Sequence, residues 1–340
     1  MKQYINNLEI AIITYNRPDF IKRNLDASLP LLIDMGIKIS IYDSSTNFEI
    51  ESIVKNMNDQ FNGYVHYHKL SSNTRVDDKV LISIINSDRD YIWPIADSVY
   101  LGDTEIFDLI CENLNQELDY ICVFAKSNLD NNKKLYLDSV SFFSDCFWHS
   151  TWLGGLIFRK NLFNTLLNNE TYQYFSTKYD KNDGFSYLGI FYDLIANKKT
   201  KGIFLIVKFK SVGYKKEQQW LKRYLEVWCY NLCYFIDSID AAYNSFKNSA
   251  LRETWNILQL DKFYWNYKAR LAGGLNAKIY ENYDSMGYLD RVTNNKSIIR
   301  FCAHTPVFVL NVCNLLFVFC RLLKKIINKT KTLFYTRNEI

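Results

Sequence analysis

Four prolines and twelve glycines in 340 residues are too few for a loop-dominated or linker-rich chain. Histidine is equally scarce, four in all, and the eight cysteines include no C-x-x-C pair, so a zinc site has little to stand on. Cys229 and Cys233 lie one helical turn apart, but no second pair joins them. Core thiols in a reducing, cytoplasmic setting fit better. No signal peptide is expected, because a single lysine precedes the first apolar run. No glycine-rich phosphate loop follows that run, which argues against a nucleotidyltransferase. The body of the chain also lacks an excess of either charge. The net charge of +5 resides in Arg321, Lys324, Lys325, Lys329, Lys331 and Arg337, opposed only by Glu339. A near-neutral body argues against a nucleic-acid groove, and a basic tail favours contact with an acidic surface such as a membrane.

What is present is apolar and aromatic. Hydrophobic residues make up 48%, with 25 Tyr and 23 Phe, enough for a sizeable core. The length suggests about two domains. The pattern is set by Ile10-Ala11-Ile12-Ile13, a continuous apolar run that suits the centre of a parallel sheet. It ends in Thr14-Tyr15-Asn16-Arg17, and Pro18 then opens a helical pattern through Ile33. The rhythm repeats. Strands are predicted over 37–42, 65–70, 91–95, 120–124, 156–158 and 202–209, with helices over 50–57, 77–85, 102–114 and 184–197. Residues 130–134 read as a polar hairpin or loop. Cys146 to Gly155 reads as a tight loop over a pocket, because two glycines sit beside Trp and His. The alternation of strands and helices implies an α/β sheet with the first four strand ends along one edge. That edge would gather Thr14–Arg17, Asp43, Arg75 and Asp97, where open sheets bind ligands.

From Lys215 onward the chain reads as helices. Trp220, Tyr224, Val227, Trp228 and Leu232 form one stripe, a core face or a homo-oligomer seam, and a second helix is expected over 251–271. Phe301 to Cys320 contains no Asp, Glu, Lys or Arg, although Pro306, Asn311 and Asn314 interrupt it. Its length would just span a bilayer. With the basic residues that follow, an amphipathic helix lying in the interface is the expectation. Three segments result: 1–212, 213–300 and 301–340.

These pieces together resemble the family 2 glycosyltransferases with the GT-A fold, over roughly Leu8 to Phe209. The resemblance rests on Ile10–Phe20 with its Thr-Tyr-Asn-Arg turn, Asp43-Ser44-Ser45, the stretch Tyr91–Val99, and Trp152–Arg159. It implies a Rossmann-like, mostly parallel sheet with flanking helices and a nucleotide-diphosphate sugar donor. By its bacterial members it implies surface-polysaccharide synthesis on a lipid-linked glycan, at the inner face of the cell membrane through residues 301–337. The nucleotide would be held by Thr14, Tyr15, Asn16, Arg17, Asp43, Ser44, Arg75, Lys79 and Asp97, and the acceptor by Trp152, Gly154 and Gly155. Asp97 would carry Mg²⁺ or Mn²⁺ on the diphosphate. The family usually places two or three acids there; Ala96-Asp97-Ser98 offers one. Metal-free binding through Lys79, Arg75 or a helix N-terminus is the alternative. A non-catalytic nucleotide-sugar-binding or scaffold subunit is another. Inversion at the sugar needs a carboxylate base near a helix start after the acceptor loop. Asp183 matches that position, with Asp180 next and His149 as a rival.

Overall fold

The computed structural model describes residues 6–101, 104–114, 116–125, 133–180, 184–207 and 219–320. They divide into two compact units, Met1–Glu217 with Asn231–Thr254, and Gln218–Tyr230 with Trp255–Ile340.

The first unit is built on β1 (Leu8–Thr14), every residue of which is buried. Around it follow α1 (Pro18–Asp34), β2 (Lys38–Asp43), α2 (Glu49–Gln60), β3 (Val65–Lys69), α3 (Val76–Asn86), β4 (Tyr91–Ala96), α4 (Thr104–Leu114) and β5 (Tyr120–Ala125). Next come β6 (Lys133–Tyr136), α5 (Ser139–Ser150), β7 (Leu156–Arg159), α6 (Asn169–Lys178), α7 (Ser186–Ile195) and β8 (Gly202–Val207). The eight strands form one sheet in the order β3-β2-β1-β4-β7-β5-β8-β6. β1 runs parallel to both β2 and β4, and β5 parallel to β8; β7 and β6 are antiparallel to their neighbours. This is the mostly parallel, helix-flanked α/β sheet expected from the sequence.

Register places the site. Thr14 lies opposite Asp43, Asp43 opposite Lys69, and Ile13 opposite Ala96. The last residues of β1, β2 and β3 therefore stand in a row, and Asp97 follows one step beyond β4. Isoleucines carry the sheet's interior: Ile10, Ile12, Ile39, Ile41 and Ile95 are all fully buried.

Two local expectations are corrected. Of the hairpin or loop expected over 130–134, residues 130–132 lie outside the described residues, and Lys133 and Lys134 open a strand, Lys133–Tyr136, antiparallel to β8 at the sheet margin, where exposed lysines suit an unpaired edge. Cys146–Ser150 belongs to α5, capped by the Asp138 carboxylate accepting from the Ser141 N–H, so only residues 151–155 form the tight turn.

Beyond β8, α8 (Leu232–Ser238) belongs to the first unit, where Phe235 stacks on Phe147 at 5.7 Å and the Tyr243 hydroxyl donates to the Tyr192 carbonyl at 2.9 Å. The expected stripe from Trp220 to Leu232 is not one α-helix. Gln219–Arg223 is a 3₁₀ turn and Glu226–Asn231 a π-helical turn; Tyr224 and Leu232 of the stripe are buried, Trp220, Val227 and Trp228 are half-buried, and Leu221, Leu225 and Cys229 join the buried set. The helix expected over 251–271 is two: α9 (Lys247–Ile257) and α10 (Phe263–Ala272). Between them Gln259 adopts a left-handed φ of 54°. The second unit continues through α11 (Ala277–Ser285), α12 (Tyr288–Val292) and α13 (Ser297–His304). Thr305 is extended, as the residue before a proline should be, and a new helix covers residues 307–320. The apolar run 301–320 is thus split, and among the described residues no helix is long and apolar enough to cross a membrane.

Candidate functional site

The turn after β1 is fastened to the turn after β2. Asn16 has φ 51°, a left-handed conformation that asparagine tolerates better than most residues. Held this way, its N–H donates to Ser45 Oγ at 2.7 Å, and its Oδ1 accepts from the Thr46 N–H at 3.0 Å and the Thr46 hydroxyl at 3.2 Å. Tyr15, beside it, is 38% exposed.

Asp43 has no exposed surface. It accepts from the Ser45 N–H at 2.7 Å and the Ser45 hydroxyl, from the Tyr67 hydroxyl at 2.7 Å, and from Lys69 Nζ at 3.4 Å. Lys69 also donates to the carbonyls of Ser45 and Asn47 at 2.7 and 2.8 Å. Burial and this contact with Asp43 push the Tyr67 hydroxyl well above its ordinary range. Asp43 thus shapes the 43–47 loop from within. Tyr67 and Lys69 were missed by sequence reasoning, because Lys69 is seen to face Asp43 only once the parallel register is known.

Asp97 is the second buried acid. Thr14 Oγ1 donates to its Oδ2 and Arg17 Nη1 to its Oδ1, each at 2.9 Å. Burial raises its pKa, opposed by Arg17, Thr14 and Lys79. Arg17 precedes α1, and its guanidinium lies 5.3 Å over the Phe20 ring. Lys79, on α3, is 2% exposed. It reaches across the sheet edge to donate to the Thr14 carbonyl and to Ser44 Oγ, both at 2.8 Å. Burial lowers its pKa to about 8 against the pull of Asp43 and Asp97. Thr14, Asn16, Arg17, Asp43, Ser44, Lys79 and Asp97 therefore form one connected network at the carboxyl edge.

The donor set fits a divalent cation poorly. Each oxygen of Asp97 already accepts a hydrogen bond, Asp43 is sealed, and among the described residues no three His, Cys, Asp or Glu side chains converge.

Arg75 donates to the Asp78 carboxylate and to the Asp180 carbonyl, the latter at 3.0 Å. The Gly184 N–H donates to Asp77 at 2.7 Å. Asp183 lies outside the described residues. The 151–155 turn is fixed from both sides: Trp93 Nε1 donates to the Gly154 carbonyl, and the Val123 N–H to the Gly155 carbonyl, each at 2.8 Å. Gly154 has φ 113°, and a Cβ on Gly155 would come within 2.2 Å of the His149 carbonyl oxygen. Trp152, 38% exposed, is carried by this turn. Since Trp93 and Ile95 are on β4, the turn stands beside the strand that leads into Asp97. His149 is packed against the rings of Trp148, Phe124 and Phe204, at 3.5, 4.1 and 4.6 Å, and is 8% exposed.

No protein-family profile and no curated protein matches the chain. The chain aligns with solved structures at low sequence identity. One is a mannosyltransferase, PcManGT from Pyrobaculum calidifontis in complex with GDP-Man and Mn²⁺, at 12% identity over 91% of this chain and 87% of that one, TM-score 0.48. Residues 1–349 of S. aureus TarS align at 11% identity over 87% of this chain and 90% of that one, TM-score 0.47. Glucosyl-3-phosphoglycerate synthase from Mycobacterium tuberculosis aligns at 10% identity over 69% and 81%, TM-score 0.43.

Proposed function

We propose that the chain is an inverting glycosyltransferase of the family 2 type, taking a sugar from a nucleoside diphosphate to a glycan hydroxyl. The observation that carries this reading is the network at the carboxyl edge. Two turns are fastened through Asn16, Ser45 and Thr46, and cations from Arg17 and Lys79 stand at the strand ends. A glycine turn bearing Trp152 stands beside the same edge. A diphosphate leaving group needs such positive charge, and a sugar acceptor is well served by an exposed aromatic face.

A thermal-shift screen of nucleotide sugars tests it, because a ligand of the folded state raises the melting temperature. Tyr15→Ala should weaken calorimetric affinity for the responding nucleotide with the melting temperature unchanged. Asp43→Ala should weaken it by about 1.5–3 kcal/mol and lower the melting temperature as well, because the loop loses its buried acceptor. No response to any nucleotide sugar sinks the reading. The sealed Asp97 favours a second reading, a nucleotide-sugar-binding subunit without transfer activity. Binding without turnover on any acceptor would select it.

We further propose that helix 307–320 lies on an acidic membrane surface, so that the acceptor is lipid-linked. Leu310 is buried, and the Tyr267 hydroxyl donates to Asn311 at 2.9 Å, which turns this side of the helix to its own unit. Phe308, Val312, Leu315 and Phe319, at helical spacing, are exposed by 54–71%. The sequence continues with Arg321, Lys324 and Lys325, matched to anionic headgroups. Full-length protein should co-sediment with anionic vesicles at low salt, and Leu315→Glu with Phe319→Glu should abolish this. Wild type remaining in the supernatant defeats the attachment.

A further inference from the structure

The residue that follows the asparagine of the first turn is cationic, and it is spent on the one acid of the metal position. Arg17 Nη1 holds Asp97 Oδ1 at 2.9 Å while Thr14 holds Oδ2. The carboxylate side chain is 4% exposed and the arginine side chain 28%. A cation is thus already seated against Asp97, with its side chain partly exposed at the sheet edge. Among the described residues no neighbour completes a metal shell: Ala96 and Ser98 flank Asp97, and Asp43 is sealed with its own donors. A guanidinium carries five N–H donors in a rigid fork, so one can bind a carboxylate while others face phosphate oxygens. Lys69, another partly exposed cation on this edge, is committed to Asp43 and to the carbonyls of Ser45 and Asn47. Lys79 is committed to Thr14 and Ser44 from beneath.

We propose that Arg17 takes the place of a divalent cation in this site, neutralising Asp97 and presenting its remaining donors to the diphosphate, so that nucleoside diphosphate binds without metal. This rests on the nucleotide-sugar reading above.

Calorimetric titration of the full chain with UDP and with GDP, in EDTA and in Mn²⁺, tests it. Wild type should bind one of them with the same affinity in both conditions. Arg17→Met should bind roughly 10- to 150-fold more weakly in EDTA, the loss expected for a charge-assisted contact. It should recover part of that in Mn²⁺, because Asp97 is then released to a metal. The double variant Arg17→Met with Asp97→Asn leaves no uncompensated buried charge. It should bind as weakly in EDTA and gain nothing from Mn²⁺, a result that stands even if Arg17→Met alone folds poorly. Wild-type binding that requires Mn²⁺ overturns the replacement while leaving the nucleotide site intact. Undiminished binding by the double variant in EDTA also overturns it. Absence of binding to either nucleotide in both conditions overturns the replacement together with the nucleotide site.

Discussion

Gly155→Ala is expected to lower the unfolding free energy by about 3 kcal/mol, the upper end of the usual cost of overpacking. A Cβ built at Gly155 lies 2.2 Å from the His149 carbonyl oxygen and 3.0 Å from that of Trp152. Both are backbone atoms and cannot swing aside as a side chain would. The end of α5 or the 151–155 turn must therefore move. Movement breaks a chain of bonds: the Gly155 N–H to the Trp152 carbonyl, the Val123 N–H to the Gly155 carbonyl, and Trp93 Nε1 to the Gly154 carbonyl, each at 2.8 Å. The first closes the turn that presents Trp152, and the other two moor it to β5 and β4. On the proposed function, transfer to the acceptor should fall with stability, while nucleoside-diphosphate affinity, which that reading assigns to the β1 and β2 turns, should change little. Gly63→Ala is the control. Unlike Gly155 it has a left-handed φ, 71°, but nothing lies within 4 Å of its added Cβ, so only the backbone cost of about 1–2 kcal/mol applies. A Gly155→Ala loss no larger than that of Gly63→Ala, by chemical denaturation, would show that the contact with the His149 carbonyl costs less than the predicted value of about 3 kcal/mol.

The contrast between the two glycines also shows what a sequence reveals. Gly154-Gly155 beside Trp152 was legible as a tight turn, since consecutive glycines next to a bulky residue seldom occur otherwise. The β1 turn was legible too, because an apolar run entering Thr-Tyr-Asn-Arg-Pro needs only local rules. The Asn16–Thr46 fastening and the Arg17–Asp97 pair were not. They join residues 30 and 80 positions apart, through parallel registers that no local pattern specifies. The role of Lys69 was hidden for the same reason. Val65–Lys69 reads as an ordinary strand until Lys69 is seen opposite Asp43. The end of α5 was misplaced because Trp148 and His149 look like loop residues beside glycine, whereas their rings pack on Phe124 and Phe204. In the second unit a π-helical turn moved the buried face by a residue or more, which a strict 3.6-residue period cannot anticipate.

The largest kinetic effect is expected at Asp183. On the proposed function, Asp183→Asn should lower kcat by about 10²–10⁴-fold and leave nucleoside-diphosphate affinity largely intact, because a general base acts on the acceptor proton only in the chemical step. The sequence puts this acid just ahead of α7, after the 151–155 turn. Both sides of it are anchored to one place. Arg75 Nη1 donates to the Asp180 carbonyl at 3.0 Å, and Asp77 accepts from the Gly184 N–H at 2.7 Å. Arg75 and Asp77 stand at the N-terminal end of α3, which follows the carboxyl end of β3. Asp180 is exposed, and Asp180→Asn should reduce turnover only a few-fold. His149 is held in an aromatic cluster, so His149→Ala should lower the melting temperature by opening a cavity rather than remove a base. Single-turnover rates with saturating donor separate these outcomes. A fully active Asp183→Asn, beside a folded but inactive His149→Ala, would move the base to His149.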